Sequence, residues 1–527
     1  MIVKHAFVLI SVVVSALIYL AILVWPFAIW LYVIVVPIIL LGIYDMVQRK
    51  HTILRLYPVI GRLRYVFESI RPEIQQYFVE SDLNGKPINR EFRALAYQRA
   101  KGQRDTRPFG TQFDVYRNGY EWVNHSISPA QINDHHPRIH FGGPDCRKPY
   151  EASPFNISAM SYGALSKNAI LALNKGASLG GFSHNTGEGG ISAYHLEHGG
   201  DLVWQIGTGY FGCRNQDGLF DELLFAEKAT LDAVKMIEIK LSQGAKPGHG
   251  GILPAAKLTE EIANIRHVPM GLDVISPPSH SAFDSPTGLL EFISRLRELS
   301  GGKPIGFKVC IGDKTEFLAV CKAMLETGIT PDFITIDGGE GGTGAAPIEF
   351  TNSVGMPLRE GLFFVHNTLI GSGIRDRIRL IASGKAVTAF HMLRLMALGA
   401  DTINSARAMM FALGCIQSRV CNTDHCPTGV ATQNPARFKA LDVTDKGQRV
   451  YKYHKAMIAS LVELISAAGL NNLDEVGPRY INQRVSGTIV KHYGELYPCV
   501  ESDCLLNEST VPDSWKDDWM QASASTW

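Results

Sequence analysis

The sequence predicts an α/β protein: a (β/α)8 TIM barrel preceded by a two-helix transmembrane hairpin and flanked by helical segments. Three observations carry that expectation. Short apolar runs alternate with amphipathic stretches over residues 150–430, glycine and polar residues gather just after the runs, and the first 45 residues are almost wholly apolar. Alternation of strand and helix favours a parallel sheet, and eight such units favour a closed barrel over a doubly wound sheet.

The hairpin comes first in the chain. From Ala6 to Tyr44 the sequence is "AFVLISVVVSALIYLAILVWPFAIWLYVIVVPIILLGIY". One spanning helix needs about 20 apolar residues, so this run suffices for two, over 4–24 and 27–45, with Pro26 between Trp25 and Phe27 at the turn. A signal peptide would have a shorter apolar core and a cleavage site; one long tilted helix is the runner-up. Lys4 precedes the run, and Arg49, Lys50, Arg55, Arg62 and Arg64 follow it. The positive-inside rule then places both ends in the cytoplasm of a bacterial inner membrane, with the catalytic domain on that side. Thiols stay reduced there, so disulfides are not expected.

The chain has 527 residues, enough for more than one structural unit. Its 51 basic and 50 acidic residues nearly cancel, which leaves no global field for nucleic acid. Residues 46–149 read as a helical and irregular packing segment with no catalytic pattern.

The barrel is expected over residues 150–430. Its strands are read at "FNISAM" (155–160), "GGFSHN" (180–185), "MIEIKL" (236–241), "MGLDVI" (270–275), "PIGFKV" (304–309), "FITID" (333–337), "RIRLIAS" (377–383) and "DTINS" (401–405), with 186–235 as an insertion. Helical stretches such as "SKNAILALNKGASL" and "KTEFLAVCKAMLETG" separate them. Residues 431–527 lack the alternation and form a helical extension, with "KGQRVYKYHKAMIASLVELISAAGL" as one amphipathic helix ended by Gly469.

Several loops after the strands carry groups suited to chemistry. In "DGGEGGTGAAP" the glycines let backbone N–H groups approach an anion closely, although flexible Gly loops are common. "SGK" and "SARA" follow the last two strands, where barrels commonly bind a phosphate, and they contribute Lys385 and Arg407. Lys308 interrupts the apolar "GFKVCI". It either snorkels from the strand end or points inward to a partner or an electron-rich ligand. "KLSQGAKPGHGG" places Lys240, Gln243 and Lys246 around one loop, and "NTGEGG" places Glu188 in another. A lone loop glutamate is ordinarily solvated; beside lysines at one barrel mouth it becomes a candidate for proton transfer.

"GCIQSRVCNTDHCPTGVATQ" holds Cys415, Cys421 and Cys426 at C-x5-C-x4-C. Zinc sites usually show closer pairs, and three thiolates suit a three-iron cluster better than a four-cysteine cubane. His425 or a remote Cys stays open as a fourth ligand, and inert buried thiols are the plain alternative.

Together "SAMSYGALSKNAILALNKGASLGG", "NTGEGG", "IKLSQGAKPGHGGILPAAKLTEEIANIRHVPMGLDVISPP", "DGGEGGTGAAP" and the cysteine run resemble the FMN-binding synthase domain of glutamate synthase, in family order from about 150 to 435. The whole chain resembles the stand-alone, membrane-anchored short form. The resemblance implies FMN at the barrel mouth and a [3Fe–4S] cluster on Cys415, Cys421 and Cys426. It implies that Met160, Ser161, Tyr162, Lys308, Gly341, Gly342, Thr343, Gly384 and Arg407 hold the flavin. Glu188 and Lys246 take the catalytic positions, with Arg266 and Gln243 binding substrate. The implied reaction reduces 2-iminoglutarate, from 2-oxoglutarate and ammonia, to L-glutamate.

This chain departs from the family in three ways. It begins Met1-Ile2 without an N-terminal cysteine, so a separate glutaminase partner or free ammonia must supply nitrogen. It reads "PGHGGILPA" where the family shows "PGEGGQLPG", so His249 and Ile252 replace an acid and an oxo-acid-binding glutamine. No pyridine-nucleotide domain is visible, so a ferredoxin-like protein or a membrane quinone must carry the electrons. Two alternatives follow: a related amino-acid or oxo-acid oxidoreductase coupled to a membrane carrier, and a non-enzymatic redox module. A homo-oligomer stays open.

Overall fold

The computed structural model describes residues 2–527, which form two compact units, one ending at Arg90 and the other spanning Glu91–Trp527. In the first unit, α1 (Ile2–Val24) leads through a 3-10 turn at Pro26–Leu31 into α2 (Tyr32–Val47), which contains Pro37. Val3–Val24 and Pro26–Val47 are each long and apolar enough to cross a membrane. Pro26 opens the turn because its fixed φ suits a first helical position and its missing N–H is not needed there. Tyr32 Oη donates to Ser15 O at 2.8 Å, joining the two arms. At Gly42 a Cβ would stand 2.0 Å from the Phe7 ring, so only glycine lets α1 come this near. Asp45 is fully buried, and it accepts from Arg62 Nη2 at 2.7 Å and from Val59 N at 3.0 Å. That pairing satisfies a carboxylate that burial alone would penalise.

The second unit is built on a closed barrel of eight parallel strands. They are β1 (Phe155–Ile157), β2 (His184–Asn185), β3 (Leu202–Ile206), β4 (Val234–Lys240), β5 (Ile305–Val309), β6 (Phe333–Asp337), β7 (Arg379–Ser383) and β8 (Thr402–Ser405). Strands buried on both faces tend to read as apolar runs, as β4, β5 and β6 do, and seven of the eight fall within the stretches expected from the sequence. The eighth corrects the expectation. "MGLDVI" is not a barrel strand: Val274–Ile275 pairs antiparallel with Ile252–Leu253 in a small hairpin outside the barrel. Met270, Leu272 and Ile275 are more than half exposed, so their apolarity reflects no core position. The third barrel strand is "LVWQI", wholly buried, inside the stretch read as an insertion. The long excursion lies instead between β4 and β5.

α3 (Lys167–Gly180) follows β1; Ser166 caps it by accepting from Ala169 N, and Gly181 ends it at φ 61°. Past the barrel, α4 (Val443–Ala467) packs along α3. Gly176 allows the approach, since a Cβ there would meet Val450 Cγ1 at 2.5 Å. His454 on α4 stacks on Phe182 with centroids 3.8 Å apart and reaches the Phe155 carbonyl at 3.0 Å, so α4 clamps the outside of β1.

Candidate active site

The register of β4 and β5 sets the chemistry of the barrel interior. Lys240 and Lys308 are direct cross-strand partners, so two lysines enter at the same level. Each is neutralised by a neighbour: Lys240 Nζ lies 2.8 Å from Glu188 Oε2, and Lys308 Nζ 3.2 Å from Asp337 Oδ2. One rung deeper, fully buried Glu238 accepts from Asn185 Nδ2 at 2.8 Å, Gln205 Nε2 at 2.6 Å and Thr335 Oγ1 at 2.6 Å. A buried carboxylate with three donors is paid for by hydrogen bonds rather than by a single counter-ion.

Above this floor a cleft opens at the C-terminal end of the strands, where barrels place their sites. Its lining includes Met160, Ser161, Glu188, Gln243, Lys246, Arg266, Lys308, Gly342, Thr343, Arg407 and Cys421. Tyr162, Gly341 and Gly384 lie outside the lining. The Tyr162 hydroxyl donates to Glu261 at 2.7 Å, Gly341 N donates to Gly338 O at 2.8 Å, and Gly384 abuts Leu358. The lining carries six cations, Lys240, Lys246, Lys257, Arg266, Lys308 and Arg407, against one carboxylate, Glu188.

That imbalance governs the titrations. Burial pushes the Glu188 carboxyl up, but Lys240, Arg266 and Lys246 outweigh it and hold the group below its usual value. Burial, reinforced by Lys240 and opposed by Glu188, brings the Lys246 ammonium down to about 8. Burial likewise brings Arg266 down to about 10. Arg266 Nη2 donates to the Tyr162 carbonyl at 3.2 Å, and its guanidinium lies 5.1 Å over the Phe211 ring, while its buried Nε meets no partner. The glycines of the cleft are spatial necessities: a Cβ on Gly342 would sit 2.8 Å from Arg407 Nη2, and one on Gly251 2.4 Å from Glu188 Oε1. A glycine closely backed by Arg407, in a cleft lined mostly by cations, fits an anionic, flat-ringed cofactor such as FMN.

The cysteine loop adjoins the cleft. Gly414 takes φ 106°, and Gln417, Arg419 and Asp424 also hold left-handed backbone, an uncommon concentration outside glycine. Asp424 Oδ1 accepts from Gln433 N at 2.7 Å and pins the loop's return. Among the described residues, no three His, Cys, Asp or Glu side chains converge to hold a metal ion. The thiols nevertheless sense one another: burial, then Cys421 and Cys426, push Cys415 up to about 11. Burial raises Cys426, but the Thr428 hydroxyl and the N–H groups of Ala431, Thr428 and Val430 bring it below its usual value. Lys257 Nζ bridges loop and cleft, donating to Ala164 O at 2.9 Å and Cys421 O at 3.2 Å. Three thiols, one of them ringed by backbone donors, are a donor set that suits an iron–sulfur cluster.

Sequence reasoning missed Gln205, Glu238, Lys257 and Ser276. Glu238 left a legible signal, an acid in the middle of "MIEIKL". Ser276 in "VISPP" carries none until the hairpin is known.

A model described as a conserved region in glutamate synthase matches residues 130–471. The glutamate synthase large subunit-like protein YerD of Bacillus subtilis is 39% identical over 484 residues, 84% of this chain and 92% of that one. The archaeal glutamate synthase [NADPH] of Methanocaldococcus jannaschii is 36% identical over 62% of this chain; the chain spans 60% of its length. A solved mandelate oxidase covers 69% of the chain, and 87% of itself, at 13% identity and a TM-score of 0.41.

Proposed function

The chain belongs to the glutamate synthase family, and from that premise we propose that it is an FMN- and iron–sulfur-dependent oxidoreductase that reduces the imine of 2-oxoglutarate and ammonia to L-glutamate. The observation that carries this reading is the set of six cations facing one carboxylate at the barrel mouth. Such a field suits two dianions, a flavin phosphate and a dicarboxylic oxo acid.

Bound FMN would supply the hydride chemistry, held by Met160, Ser161, Lys308, Gly342, Thr343 and Arg407, with Tyr162, Gly341 and Gly384 supporting that cradle from behind. A [3Fe–4S] cluster would supply electrons one at a time, held by Cys415, Cys421 and Cys426. The protein's own part is positional. Arg266 binds a substrate carboxylate through its unspent Nε, and Gln243 lines the same wall. Lys246, held near neutrality, gives a proton to the substrate nitrogen, while Glu188 and Lys240 keep a fixed charge pair beside it. α1 and α2 anchor the chain as a two-pass hairpin in the bacterial inner membrane, a reading supported by the basic residues at both of its ends. Ferredoxin-like protein or quinone is the electron donor, and free ammonia or a glutaminase partner supplies nitrogen.

One observation favours a second substrate reading. Ile252, where the family pattern has glutamine, lines the cleft and makes no side-chain hydrogen bond. A related oxo acid therefore competes with 2-oxoglutarate. The test is detergent-purified protein, reduced anaerobically and mixed with ammonium and each of several 2-oxo acids, following flavin absorbance and the amino acid formed. Glutamate from 2-oxoglutarate supports the first reading, and turnover only of another oxo acid supports the second. Protein purified without flavin would sink both.

A further inference from the structure

Two polar groups in the cleft are buried and unspent. One is Arg266 Nε; the other is Ser276 Oγ, on a residue 2% exposed that lines the cleft and makes no side-chain hydrogen bond. A buried hydroxyl without a partner is costly to keep, so its persistence at a ligand cleft points to a partner that arrives with the ligand.

The hairpin explains why this serine occupies the place it does. Ile252 pairs with Ile275, and the next rung is Ser276, whose N–H donates to Gly251 O at 2.9 Å. Side chains opposite one another on an antiparallel pair share a face. A Cβ on Gly251 would point at Glu188 Oε1, 2.4 Å away. The face shared by Gly251 and Ser276 is therefore the one turned to Glu188, and serine is the only side chain on that rung. One residue away, Ile252 offers the cleft no donor at all.

We propose that Ser276 Oγ donates to the second carboxylate of the bound 2-oxo acid, the one not held by Arg266, and so selects dicarboxylic over monocarboxylic substrates. This inference rests on the oxo-acid reading above. It names a residue to which neither the sequence patterns nor the family resemblance assigns a role.

The experiment is calorimetric binding of 2-oxoglutarate and of 2-oxopentanoate, its five-carbon monocarboxylic counterpart, to the oxidised holoenzyme and its Ser276→Ala variant. Ser276→Ala is expected to weaken 2-oxoglutarate by about tenfold or more, the loss expected for a hydrogen bond to a charged group. It should leave 2-oxopentanoate unchanged, which also shows that the variant is folded. Equal loss for both ligands, or loss for neither, overturns the role of Ser276 and leaves the oxo-acid reading standing. Failure of the unaltered protein to bind either ligand overturns both.

Discussion

Glu188 and Lys240 stand 2.8 Å apart on different strand ends, with the Glu188 side chain 18% and the Lys240 side chain 8% exposed. Glu188 also shares its surroundings with Lys246 and Arg266, so one carboxylate holds three cations together. Replacing it by Gln leaves those cations to repel each other across little solvent. Glu188→Gln should destabilise the chain by about 1–3 kcal/mol in urea unfolding, a partly buried pair losing one member. The sign with pH follows from its lowered value. The contribution is complete above the ordinary carboxyl value of about 4.5 and is lost as pH falls below it. The acid limb of stability should therefore be flatter in Glu188→Gln, and an unchanged limb would show that the pair contributes nothing.

Lys246 makes a separate pH prediction. With its ammonium brought down to about 8, its positive charge fades as pH rises through that value. Binding of an anionic oxo acid should weaken above pH 8 with a slope of one proton, and Lys246→Met should bind weakly at pH 7 without that inflection. Calorimetric affinities at five or six pH values decide it. Because the folded value lies below the unfolded one, stability itself should rise between about 8 and 10.5.

The interior carboxylate supports a prediction about folding. Glu238 accepts three hydrogen bonds and donates none. Glu238→Gln forces an N–H toward existing donors, while Glu238→Leu strands all three. Both should lower stability, by about 1–3 kcal/mol for Gln and more for Leu, as read by chemical denaturation.

Iron content tests the cysteine loop directly. Cys421→Ser, purified anaerobically, should lose most of its iron and acid-labile sulfide, whereas Cys146→Ser, away from the loop, should keep both. Iron retained equally in the two would remove the cluster from Cys421.

How much of this was legible in the sequence depended on what each residue's neighbours reveal. β5 and β6 show as apolar runs because both faces are buried. "LVWQI" has the same character but sits between glycine-rich turns that read as loop. "MGLDVI" has the opposite fault, apolar residues facing solvent. Glu188 and Lys246 stand out in glycine-rich loops after strands and Arg266 enters with the motif resemblance, and the structure brings all three into one cleft. Ser276, Gln205 and Lys257 do not stand out, since a lone polar residue looks the same facing in or out until strand register fixes its direction.

The excursion between β4 and β5 has an evolutionary meaning. Gln243, Lys246, Ile252, Lys257, Arg266 and Ser276 all belong to that one uninterrupted piece of chain. On the proposed oxo-acid reading, selection can rewrite substrate preference by editing a single short stretch of gene, leaving every barrel strand untouched. A randomised library confined to that stretch is thus the economical place to look for new specificities, and grafting it between relatives should carry substrate preference with it.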